Sequence, residues 1–251
     1  QGESEDVWKA IYYHYLPVGI EANAPPSRCD LGAARVTWAA VALADKLDTV
    51  VGLFHAGEKP TGSRDPFGMR RQAQGLIRIL VDLPELTGST TRVSVGELLD
   101  MAYGVHGRPD AEASLRETMF LLERTRYLLE ERGFDVRNVR SVTHQQSLDA
   151  LHPLDARRKL EVLPEFTESP DFKQLATVFK RVRNIAKELP DDQFAIAEAT
   201  AVPFEQFLKE PSEKVLLRDL ERRQPVIEAA VVSGRNYRLA FAEAAGFGPA
   251  V

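Results

Sequence analysis

A chain of 251 residues with a net charge of −5 can hold one large domain or two smaller ones, and it is not a polycation. Hydrophobic residues make up 44% and charged residues 27%, ordinary for a globular protein, while the single cysteine, Cys29, excludes an internal disulfide framework or a multi-cysteine metal site. No apolar run reaches the roughly 20 residues a membrane span needs, and the first residues lack a basic-then-apolar signal pattern.

Val7, Trp8, Ile11, Tyr12 and Tyr15 follow helical spacing, an apolar stripe ended by Pro17. Residues 18–29 read as loop around Pro25 and Pro26, and Asp30 is placed to cap the long helix that follows. In that helix apolar residues recur at 43, 47, 50, 51 and 54, and Asp45 and Asp48 project from nearly one face. Residues 57–63 end it with two glycines and a proline. A second helix is expected to start abruptly, with Asp65 as N-cap and Pro66 in the first turn, and to run to about Leu83, ahead of Pro84. Its Arg70, Arg71 and Arg78 lie off an apolar face of Phe67, Leu76, Ile77 and Leu80. Gly75 in its middle costs about 1 kcal/mol relative to alanine and is tolerated where another backbone packs close.

Ser94 and Glu97 form a capping box, with Val93 and Leu98 as its hydrophobic staple, opening a short helix that ends near Tyr103. Residues 104–110 are the best linker candidate, dividing the chain into 1–104 and 105–251. Beyond it the pattern is helical throughout. One helix spans 115–132 and stops at Gly133; another spans 148–163 and is interrupted by Pro153. A third, from Phe172 to Leu189, carries apolar residues at 172, 175, 179, 182, 186 and 189. Ser212 caps a helix through Arg222, Pro225 starts another ending near Gly234, and the last runs over 235–246. No strand alternation, hairpin signal or solenoid repeat interrupts this, so the fold class is all-α.

The run Ala42-Leu43-Ala44-Asp45-Lys46-Leu47-Asp48-Thr49-Val50-Val51-Gly52, followed by Pro60-Thr61-Gly62-Ser63-Arg64-Asp65-Pro66-Phe67 and Arg70-Arg71, resembles the β subunit of the bacterial heterotetrameric glycyl-tRNA synthetase. His14-Tyr15-Leu16-Pro17 upstream, and Gly75 with Arg78-Ile79-Leu80 downstream, extend the likeness in order. The resemblance implies an HD-like helical region over 1–104 and an α-helical anticodon-binding domain over 105–251. It also implies a cytoplasmic enzyme of two α and two β subunits that uses ATP and Mg2+ to glycylate tRNA-Gly. In that enzyme the catalytic site lies on the α subunit, so the expected partners are tRNA-Gly and the α subunit, with no membrane and no DNA. No catalytic residue, metal ligand or cofactor is expected within these residues. A start at Gln1 without methionine and a stop at Val251 fit the C-terminal part of a longer subunit, exposing apolar patches where missing pieces dock.

Asp45 in its Ala-Leu-Ala-Asp setting looks like the distal metal ligand of HD hydrolases, whose site also needs a histidine and a His-Asp pair. The five histidines, at 14, 55, 106, 144 and 152, are never followed by Asp, so Asp45 is expected to pair with a nearby Lys or Arg. His14, among aromatic residues, reads as a hydrogen-bonded packing residue, and Cys29 has no evident activating partner. The loop Pro60-Thr61-Gly62-Ser63 lacks a Walker pattern, and Asp65 at the helix start would repel phosphate. The basic helix carries more: Lys173, Lys180, Arg181, Arg183 and Lys187 cover the face opposite its apolar stripe, a segregation suited to phosphate contact. Its segment from Phe179 to Lys187 looks like the family's Lys-Arg-Val-x-Asn-Ile stretch in the anticodon-binding domain. Arg64, Arg70, Arg71, Arg124 and Arg126 are secondary candidates for tRNA or subunit contact, the last two alternating with Glu123, Glu130 and Glu131. The alternatives are a metal-dependent HD phosphohydrolase fragment and a helical interaction module.

Overall fold

The computed structural model describes residues 2–18, 26–60, 64–144, 150–187 and 208–247, without the side chains of 178, 181, 182, 185 and 186. Every regular element among the described residues is helical, as the sequence pattern requires. The chain divides into two compact units, Gln1–Leu160 and Glu161–Val251.

The first unit is built around a helix whose residues 73–81 are all buried. Its elements are α1 (Glu5–Tyr13), α2 (Arg28–Leu31), a 3-10 turn at Gly32–Ala34, α3 (Arg35–His55), α4 (Met69–Val81), α5 (Leu83–Thr87), α6 (Val95–His106), α7 (Ala111–Glu131) and α8 (Val136–Val142). Ala73, Leu76, Ile77 and Leu80 of α4 meet Leu47, Val50 and Val51 of α3, Leu99 of α6 and Leu121 of α7 in one core. On the other side of α4, Ile79 joins Trp38, Leu31 and Leu83. From Ala73 onward the two clusters bury α4 on both sides, with the polar Gln74 and Arg78 carried inside along with it.

Gly75 explains how α4 fits there. A Cβ at this position would lie 2.3 Å from the Pro17 carbonyl oxygen and 2.8 Å from Cε of Lys46, so the close backbone expected at this glycine is the turn after α1. Lys46 is fully buried, and its Nζ donates to the carbonyls of Tyr15 at 2.8 Å and His14 at 3.2 Å. Trp38 Nε1 donates to Tyr13 O at 2.8 Å. The chain leaving α1 is therefore fastened to α3 and α4 through its own carbonyls, and burial pushes the Lys46 ammonium down to about 8.

Several boundaries differ from expectation, each for a local reason. Asp30 does not cap α3; it closes a capping box with Ser27 at the start of α2. Helix α4 begins at Met69 rather than Pro66, because Gly68 at φ +66° breaks the turn ahead of it. Asp65 still caps it from farther back, its carboxylate accepting from the amides of Met69 at 2.8 Å and Arg70 at 3.1 Å. Pro84 does not end a helix but sits in the first turn of α5. The α1 stripe faces outward: Trp8, Ile11, Tyr12 and Tyr15 are exposed, and Ala10 is the residue this helix buries.

Arg78 was expected on the surface and is buried, 5% exposed. The reason is Asp82, which accepts from Arg132 at 2.6 and 2.8 Å and from Arg157 at 2.9 Å, with Arg78 Nε at 3.8 Å. Three guanidinium groups thus converge on one carboxylate and join α4, α7 and α9 (Pro153–Thr167).

The capping box of Ser94 and Glu97 forms as expected, with Leu98 buried and Val93 partly buried against the core. Residues 107–110 only turn the chain from α6 into α7, whose Phe120, Leu121 and Leu122 join the same core as α3 and α4. Phe120 meets Phe54 edge to face at 5.4 Å. The compact units consequently meet within α9, at 160/161, and not at the expected 104/105. Gly133 ends α7 region at φ +87°, and α8, absent from the sequence reading, follows with Asp135 as its cap. Seven residues with one buried side chain, Val139, leave too little periodicity to detect. Helix α9 starts at Pro153 instead of being interrupted there.

In the second unit, α10 (Pro170–Ala186), α11 (Pro211–Ser233) and α12 (Tyr237–Ala245) follow. Phe241 of α12 lies 5.7 Å from Phe166 and 6.4 Å from Phe172. Helix α11 runs unbroken through Pro225, where two helices were expected, and its start is closed by Glu210 and Glu213 rather than capped by Ser212. Pro225 leaves only the Glu221 carbonyl without its helical donor, on a solvent-facing residue. Just before it, Arg223 ties α11 to α12 by donating to Glu243 at 2.7 Å.

Gly75→Ala should lower stability by about 1–3 kcal/mol in denaturant melts because the new methyl has no space. Gly104→Ala, in α6 with nothing within 4 Å, should raise it by about 0.5–1 kcal/mol. Lys46 predicts a pH signature. The unfolded ammonium titrates near 10.5 and the folded one near 8, so between these values the unfolded chain holds the extra proton and stability rises with pH. Lys46→Met should flatten that rise in melts bracketing the window; an unchanged slope would refute the assignment.

Candidate nucleic-acid interface

Helix α10 carries the basic face. Its start is held by Ser169, whose hydroxyl accepts from Phe172 N at 3.2 Å. Phe172 and Leu175 are half-buried, but Phe179, expected in the apolar stripe, is 65% exposed. The first turns of the helix are thus packed through Phe172 and Leu175, and Phe179 is turned to solvent. Lys173, Lys180, Arg183 and Lys187 are all exposed. Lys173 pairs with Glu168 at 3.0 Å, whereas Lys180, Arg183 and Lys187 make no ion pair among the described residues. The backbone of Arg181 is helical, and its side chain lies outside the described residues, as does Leu189. Lysines and arginines presented without carboxylate partners suit phosphate, which needs charge but no fixed acceptor pattern.

The secondary candidates fare differently. Arg126 is half-buried and donates to the Thr143 hydroxyl at 2.9 Å, fixing the end of α8 to α7. Arg124 lies over the rings of Phe120 and Tyr127, 5.9 and 5.5 Å from their centroids. The glutamates expected to absorb this pair matter less: only Glu123 reaches Arg124, at 3.9 Å. Arg70 is half-buried, while Arg64 and Arg71 are exposed. Arg71 folds back over Gly68, where a Cβ would meet its Nη2 at 2.9 Å. The loop reading at Pro60-Thr61-Gly62-Ser63 falls largely on 61–63, outside the described residues.

Asp45 makes no ion pair among the described residues, contrary to expectation, although its charge favours the protonated form of adjacent Lys46. No group of three or more His, Cys, Asp and Glu side chains among the described residues is placed to hold a metal ion. His14 Nδ1 contacts Ile11 O at 2.5 Å, a packing role, and Cys29 is exposed and free. Two pairs were invisible to sequence reasoning because their members are far apart in the chain. His106 Nε2 meets Asp48 Oδ1 at 2.8 Å, and the buried Tyr103 hydroxyl donates to Glu117 at 2.9 Å. Burial pushes Tyr103 up to about 12 and raises Glu117 as well, which keeps this pair a structural contact.

Comparison with known proteins gives a consistent result. Residues 1–144 match the family described as glycyl-tRNA synthetase beta subunit. Proteins named glycine--tRNA ligase beta subunit are similar over nearly the whole chain. That of Pseudomonas aeruginosa (strain LESB58) is 32% identical over 246 residues, 97% of this chain and 32% of the relative. That of Anaeromyxobacter dehalogenans (strain 2CP-C) is 35% identical over 252 residues, 100% of this chain and 33% of the relative. That of Acinetobacter baylyi is 30% identical over 248 residues. The chain spans about a third of the length of the curated relatives it matches. It belongs to the glycyl-tRNA synthetase beta-subunit family.

Proposed function

We propose that this chain supplies tRNA-binding surface to a glycine-tRNA ligase, with α10 as its phosphate-contacting ridge. Lys173, Lys180, Arg181, Arg183 and Lys187 hold tRNA-Gly for ATP- and Mg2+-dependent glycylation on an α subunit, in the cytoplasm. The residues around α10 act as the anticodon-binding region, and the unit built on α4 as an HD-like scaffold. Arg64, Arg70 and Arg71 are secondary contacts with tRNA or the α subunit; Arg124 and Arg126 serve packing first. No bond-making group is assigned to these residues. Their contribution is placement, which turns a bimolecular encounter into an oriented one.

The observation that carries this reading is the contrast between the units. In the first, Arg78, Arg132 and Arg157 crowd around Asp82. In α10, Lys180, Arg183 and Lys187 stand exposed without carboxylate partners among the described residues, in a protein of net charge −5. Phe179, exposed next to Lys180, offers a ring face on which an unpaired base can stack.

Lys180→Glu with Arg183→Glu should weaken tRNA-Gly binding at every salt concentration and flatten the dependence of log K on log salt by about two, one per lost phosphate contact. Filter-binding titrations across a salt series measure both. Unchanged affinity and slope in the double variant would remove α10 from the interface.

A further inference from the structure

We propose that the open groove between α3 and α6 is the seat of a basic-flanked amphipathic helix belonging to the remaining two thirds of a complete beta subunit. The groove encloses about 620 Å³. Leu43, Leu47, Leu98 and Ala102 form its floor, all buried or nearly so against the main core. Along one wall Ala40 and Ala44 of α3 sit one turn apart, small enough for another helix to approach closely. Along the other, Met101 and Val105 of α6 stand at the same spacing, 71% and 78% exposed. Two side chains this apolar, side by side at i and i+4 over an apolar trough, form the wall of a helix-packing groove that lacks its third helix.

Charge selects the kind of helix. The carboxylates lining the groove, Asp45 and Asp48, both come from α3, and Asp100 adjoins Met101 on α6. The donors nearby are already engaged: His106 Nε2 lies against Asp48, and Arg108 pairs with Asp100. Asp45 makes no ion pair among the described residues. An occupant that covers the trough must bring Lys or Arg to Asp45, which an acidic or uncharged helix would bury without a partner.

Length indicates where such a helix comes from. The curated relatives are about three times as long as this chain and match it over about a third of themselves. A subunit of that size has ample further sequence to cover a groove open in this third. The proposal rests on family membership and not on the tRNA reading, so a subunit that fails to bind tRNA leaves it standing.

The test places photoreactive benzoylphenylalanine at Met101 in the complete beta subunit, isolated with its α subunit, and maps the cross-link by mass spectrometry. The expected product joins residue 101 to beta-subunit sequence outside these 251 residues, at a segment with Lys or Arg within about one helical turn of the attachment point. Asp45→Lys with Asp48→Lys should lower the yield at least threefold. A cross-link to residues 1–251 of a second copy, to the α subunit or to RNA, or no cross-link at all, overturns the assignment. So does a yield indifferent to the charge reversal.

Discussion

Where the chain leaves α1, the Pro17 carbonyl oxygen presses within 2.3 Å of the space a side chain at position 75 would need, and the buried ammonium of Lys46 ties the two carbonyls before it. This contact sets the architecture of the first unit. It lets α4 be covered where the chain leaving α1 crosses it, so its residues 73–81 are all enclosed. The cost is a charged amine held out of water. It is offset by the hydrogen bonds from Lys46 Nζ to the carbonyls of Tyr15 at 2.8 Å and His14 at 3.2 Å. Because the interior is close-packed, little there can shift independently.

The distribution of arginine follows from the same enclosure. Once α4 is buried, Arg78 must find a partner inside, and Asp82 at the helix end is within reach. Arg132 and Arg157 arrive from α7 and α9 to the same carboxylate, with Glu85 taking the second nitrogen of Arg157. A shared, mostly desolvated anion of this kind orients several helices at once, and losing it would leave three guanidinium groups poorly compensated. Arg126 and Arg124 are committed to a hydroxyl and two rings. In α10, by contrast, Lys180, Arg183 and Lys187 are exposed and make no ion pair among the described residues.

The acidic character of the whole molecule and the basic character of α10 fit together. A net charge of −5 disfavours indiscriminate attachment to nucleic acid, while a ridge of unpaired cations keeps a local attraction over about one Debye length of 8–10 Å. The acidic, apolar groove between α3 and α6 has the opposite character and suits a protein segment, not RNA.

Much of this was legible in the residues alone. The all-α class, the long helix with Asp45, its end ahead of Gly57, the capping box at Ser94, the stop at Gly133 and the family resemblance all depend on local pattern, and local pattern survives folding. Gly75 even announced a close backbone, though not whose. What the sequence could not settle is which way a stripe points and which charges meet. The α1 aromatic stripe is periodic yet exposed, Arg78 is polar yet buried, Phe179 is apolar yet outside, and Pro225 sits inside a continuous helix. Which charges meet depends on neighbours tens of residues away, as with Asp82 and Arg132 or Asp48 and His106. Periodicity reports that a helix has two faces; only the packed chain decides which of them finds a partner.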